Sequence, residues 1–149
     1  MEFRKFEGPF NDAEGLSLRD LFCSERLILD LIECKRIKPP DAPPAGVSEG
    51  EYYTLEPTEE SRVWRLTYDP PFGVKLRGPS LELRKESTIN LTAPCMFSEK
   101  SQWIDEFNFG PQLAGFLPTH YIFVLTDHYV EILADGNPVI QQLENTVRS

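Results

Sequence analysis

Thirteen prolines are spread along a chain of 149 residues, and they exclude long helices from almost all of it. A proline inside a helix removes a backbone donor, and its ring collides with the preceding turn. The densest cluster lies in the stretch from Lys38 to Gly50, where four prolines and two glycines favour an extended, semi-rigid connector. Only 37 residues precede it, too few for an independent core. The stretch is therefore expected to be a surface loop at 38–50 within a single domain spanning 1–149.

Between the prolines the apolar residues alternate, which is the signature of half-buried strands. Trp64, Leu66 and Tyr68 alternate with Val63, Arg65 and Thr67. Asp69-Pro70-Pro71-Phe72-Gly73 reads as a turn, Val74-Lys75-Leu76-Arg77 resumes the alternation, and Leu81, Leu83, Ile89 and Leu91 carry it on as an antiparallel meander. The clearest hairpin joins His120–Leu125 to His128–Ala134 through Thr126-Asp127. That register sets Phe123 opposite Val130, Tyr121 opposite Ile132 and Val124 opposite Tyr129, so both faces are largely apolar and the hairpin should be central.

Three segments read as helical. Ser17 could cap a short helix through Cys23, Ser98 one over Glu99 to Phe107, and Asn137-Pro138 a terminal helix carrying Ile140, Leu143 and Val147 on one side. The run from Arg26 to Cys34 fits either period, and we read it as a strand because Leu27, Leu29 and Leu31 alternate. The expected fold class is α+β: mainly antiparallel β-sheet, curved, sandwich or barrel-like, with roughly six or seven strands and about two or three short helices.

The N-terminus mixes charges with aromatics and lacks an apolar signal region, and the longest apolar run, Tyr121 to Leu125, is far too short to span a bilayer. Cys23, Cys34 and Cys95 are odd in number and widely spaced, so they read as reduced residues, and the sequon Asn90-Leu91-Thr92 reads as coincidence. These features predict a cytoplasmic protein with no membrane association. The net charge is −9, from 24 acids and 15 bases, which opposes attraction to phosphate backbones, so no nucleic-acid partner is expected. The charge is segregated: residues 101–149 hold six acids and one base, while 51–100 hold eight acids and seven bases.

Catalytic machinery is scarce. The chain has no glycine-rich phosphate loop and no G-x-S-x-G elbow, and no cofactor or metal site is expected. Of its two histidines, His120 begins the first run of the hairpin beside Leu133 and His128 begins the second next to the turn, so they lie most of a strand length apart and cannot readily share a metal. Glu131 interrupts an apolar strand, where burial would raise its pKa unless it is paired. On the meander, Arg65, Lys75, Arg77, Glu82 and Arg84 point away from core-facing Trp64, Leu66, Val74, Leu76, Leu81 and Leu83. Arg65, Lys75, Arg77 and Arg84 are therefore the candidate partner-binding residues, for an acidic protein or an anion, although such a row also keeps a sheet from sticking. Aromatics gather in segments read as loops: Phe3, Phe6, Phe10, Tyr52, Tyr53, Phe107, Phe109 and Phe116. Together these point to a non-enzymatic interaction or accessory protein, such as an inhibitor, an immunity-type or an assembly factor. The alternative is a small-molecule-binding barrel or sandwich, possibly enzymatic, with an interior pocket near Glu131. An acidic mimic of nucleic acid acting on a basic partner would share the charge evidence.

Overall fold

Alternating strands give each sheet one apolar face, and here two such faces close over a shared core. The computed structural model describes residues 3–78, 93–107, 115–126 and 128–145. In chain order the strands are β1 (Arg4–Lys5), β2 (Gly15–Cys23), β3 (Leu27–Ile37), β4 (Thr54–Glu56), β5 (Val63–Tyr68), β6 (Pro71–Arg77) and β7 (Cys95–Ser98). A short helix α1 (Gln102–Glu106) precedes β8 (Pro118–Val124), β9 (Tyr129–Asp135) and β10 (Val139–Leu143). One sheet is ordered β1-β7-β8-β9-β6; the other is β10-β5-β3-β2, with β4 pairing along the far part of β3. All pairings are antiparallel, and the two five-stranded sheets do not close into a barrel. No described helix is long and apolar enough to cross a membrane.

The core lies between the sheets. Leu27, Leu29 and Leu31 of β3 with Trp64, Leu66 and Tyr68 of β5 meet Cys95, Tyr121, Phe123, Val130 and Ile132 from the opposite sheet. Phe6 and Phe10 from the N-terminal segment seal it, Phe6 packing edge-on to Tyr121. Cys34 and Cys95 are buried, Cys23 is exposed, and none is bridged. The β8–β9 hairpin has the predicted register, with Phe123 opposite Val130 and Tyr121 opposite Ile132, and it is flanked by β7 and β6. Asp127 of the expected turn lies outside the described residues, as do Leu81, Glu82, Leu83, Arg84, Phe109 and the whole of 79–92.

Four expectations are corrected. The count of roughly six or seven strands is low, because the described residues hold ten. Ser17–Cys23 is strand, not helix: β2 pairs with β3, and a bulge at Arg19 puts Leu18 and Leu21 on the same core-facing side. An extra residue in a strand imitates helical spacing over that short distance. The segment after Asn137 is strand β10, not helix, because Gly136 turns the chain with φ of 59° and sends it back along β5, Ile140 opposite Leu66. Among the described residues the only α-helix is α1, capped by Ser101 rather than Ser98; Ile104 N–H donates to Ser101 Oγ at 3.3 Å.

The meander is also different from the one expected. β5 and β6 do not pair with each other: β5 joins β3 and β10, while β6 crosses to the other sheet and joins β9. The corner is a bent two-stranded ribbon, with Thr67 opposite Val139 on one side of the bend and Pro71 opposite Ala134 on the other. β6 is consequently an edge strand, and Leu76, expected in the core, is 52% exposed there.

Candidate functional site

The face of the β1-β7-β8-β9-β6 sheet turned away from the core carries His120, Glu131, Lys75 and Arg77 of the polar residues that the sequence analysis singled out. In an antiparallel sheet, residues directly opposite one another share a face. Ser98, His120 and Leu133 form one such row; Met96, Ile122, Glu131 and Lys75 form the next; Val124, Tyr129 and Arg77 form a third. The α1 helix lies against β8 and brings Ser101 and Trp103 to His120.

His120 is the hub. Its Nδ1 is 2.7 Å from Ser101 Oγ, and its Nε2 is 3.0 Å from Glu131 Oε1. Phe3 and Trp103 set their rings edge-on to the imidazole, with centroids 5.1 and 5.0 Å away. Nε2–H donates to the Glu131 carboxylate, and Ser101 Oγ, which accepts from Ile104 N–H, completes the series at Nδ1. Glu131 Oε2 in turn meets Arg77 Nε at 3.3 Å. Burial pushes the Glu131 carboxyl up, but the hydrogen bond and charge of His120, with the charges of Arg77 and Lys75, outweigh it and hold the group below its ordinary value. The lone buried acid seen in the sequence is thus a paired one.

Serine, histidine and glutamate in hydrogen-bonded series are also the parts of a nucleophilic relay. Here the hydroxyl cannot act in that way. Ser101 is fully buried and His120 is 4% exposed, so no substrate reaches Oγ. The chain of contacts instead ties the start of α1 to β8, β9 and β6.

Outside this closed cluster the surface around β6 is both cationic and aromatic. Lys75 Nζ sits 4.3 Å from the centre of the Trp103 ring, and Trp103 lies so close over Gly73 that a Cβ there would be 2.9 Å from its Cζ2. Phe72 contacts Phe107 and Phe116, with centroids 6.0 and 5.7 Å apart. Phe116 is an exposed large apolar residue here, and exposed Leu76 lies on the opposite face of β6, in the row of Val130 and Phe123.

The four candidate partner-binding bases are separated by the fold. Lys75 and Arg77 stay together on β6. Arg65 is on the other sheet, where Nε and Nη2 donate to the two oxygens of buried Asp30 at 2.8 and 2.9 Å. Arg84 lies outside the described residues. His128 is exposed beside the hairpin turn, well away from His120. Sequence reasoning missed Ser101, Trp103 and Phe3 as neighbours of His120. A capping serine was the only readable signal, since contact across elements leaves no mark in local spacing.

Three surface hollows, of about 230, 330 and 350 Å³, are lined by neither His120 nor Glu131. The chain matches no protein-family model, no curated protein and no solved structure.

Proposed function

We propose that the protein is a non-enzymatic interaction module, of the inhibitor, immunity-type or assembly-factor kind, that engages a partner bearing acidic residues along β6. The observation that carries this reading is the alternation of Lys75, exposed Leu76 and Arg77 on a sheet edge with no further strand among the described residues, beside Trp103 and Phe116. Such an edge offers backbone hydrogen bonds to an added strand, a cationic side for steering, and aromatic surface for contact. The filled core and the shut Ser101–His120–Glu131 series favour it over the ligand-binding or enzymatic alternative.

The test is photo-crosslinking in the native host, with a photoreactive residue at Leu76 and, as control, at exposed Val47 of the proline-rich loop. A discrete adduct at Leu76, absent at Val47 and lost on adding Lys75→Glu, is the expected result. No adduct above the Val47 background, or one indifferent to Lys75→Glu, overturns the reading. Lys75 is the better position to reverse, because Arg77→Glu would set a second carboxylate against Glu131.

A further inference from the structure

Among the described residues the sheets have five edge strands, β1 and β6 in one, β10 and β2 in the other, and the three-residue β4, which carries Glu56 and pairs only with the far part of β3. All but β10 carry features that discourage pairing with a second copy of this chain. β1 is two residues long and both are basic, Arg4 and Lys5. β6 has Lys75, Arg77 and a register shift after Pro71. β2 has Arg19, Asp20 and its own bulge. β10 differs in every respect. Its five residues, Val139-Ile140-Gln141-Gln142-Leu143, hold no charge and no proline, and they pair with β5 without a bulge. Val139 is 68% exposed, more than any other large apolar residue among those described.

We propose that β10 pairs antiparallel with β10 of a second copy of this chain, so that the β10-β5-β3-β2 sheet runs on through a two-fold axis into its partner. Charge is what selects a second copy. Two-fold pairing sets the residue on the axis against its own copy and the residues flanking it against one another, so a strand with charges of one sign near its centre faces like charges. β10 is the edge that avoids this, and it does so within a molecule of net charge −9 that otherwise repels itself. The axis falls at Gln141. That register pairs all five residues, with Gln141 against its copy, Ile140 against Gln142 and exposed Val139 against Leu143. A shift of the axis to Gln142 would draw Glu144 into the ladder opposite Ile140.

A single five-residue ladder is a small contact, so the dimer is expected to be weak and concentration-dependent. Sedimentation velocity on the full chain, from about 10 μM to about 1 mM, should show the average mass rising toward that of two copies. Added salt should strengthen the association, since it screens the net repulsion; binding at Lys75 and Arg77 would weaken, so the two contacts are separable. Gln141→Lys should raise the dissociation constant at least tenfold with circular dichroism and unfolding midpoint unchanged. In a Cys23→Ser background, Gln141→Cys should oxidise to a covalent dimer, because directly opposed strand residues are about 4.5–5.5 Å apart at Cα, within disulfide reach. Val139→Cys in the same background should not. A chain that stays monomeric throughout, a dimer indifferent to Gln141→Lys, or equal cross-linking from Val139→Cys and Gln141→Cys overturns the proposal. The cross-linking comparison still decides if the lysine variant does not fold.

Discussion

Glu131→Gln isolates the charge at the centre of the buried cluster while keeping its shape. The amide oxygen still accepts from His120 Nε2, so the hydrogen bond survives and only the charge of the carboxylate is lost. A hydrogen bond to a charged group contributes about 1.5–3 kcal/mol against about 1 for a neutral pair, which sets the loss at roughly 1–2 kcal/mol at pH 7. The Arg77 contact adds little, because that side chain is half exposed and solvent screens it. The sign with pH follows from the lowered carboxyl. A group whose folded pKa lies below its unfolded one, here about 4.3, stabilises fully above the unfolded value. That contribution is lost as pH falls through the lower, folded value. Urea unfolding of both proteins should therefore show the deficit of the variant at pH 7 and its shrinkage toward zero below about pH 4. Comparing the two proteins at each pH cancels the other titrating groups. A variant as stable as the wild type at pH 7 would mean that burial of the carboxylate outweighs its partners, and a deficit unchanged at low pH would mean that charge is not its source.

Phe123→Ala should cost about 3–5 kcal/mol in chemical denaturation, since Phe123 is fully buried between Cys95 and Val130 and faces the opposite sheet; a loss near zero would contradict its place in the core. Gly73→Ala should destabilise by about 1–3 kcal/mol and shift the tryptophan emission, because the added methyl displaces the Trp103 ring. With a thiol reagent, Cys23 should react in the native protein while Cys34 and Cys95 react only on unfolding, three groups in all; burial also pushes the Cys95 thiol up and keeps it protonated.

Much of the sheet was legible in the chain because strands with one buried face leave a period of two. The β8–β9 register could be stated residue by residue, since a one-residue slip would have turned Tyr121 and Phe123 out of the core. Where the period was interrupted, local spacing misled. The Leu18 to Leu21 interval at the bulge in β2 imitates a helix, and Asn137-Pro138 looks like a helix start until β5 is present to pair with β10. The strand at Arg26–Cys34 was rightly separated from helix by the alternation of its leucines, all three of which are buried.

The candidate site divides in the same way. From the sequence alone came an acid out of place at Glu131, a histidine at the strand end and a run of alternating bases, because each is visible in its own neighbourhood. Only the tertiary structure decided which of them meet. It carried β6 away from β5 into the opposite sheet, leaving Arg65 on Asp30 and bringing Lys75 and Arg77 beside Glu131. It also set Ser101 and Trp103 on His120 across a connection of nearly twenty residues. The physical reason is that alternation specifies which side of a strand is buried but not which strand lies alongside. That choice belongs to the whole core, where β5 completes one apolar face and β6 the other.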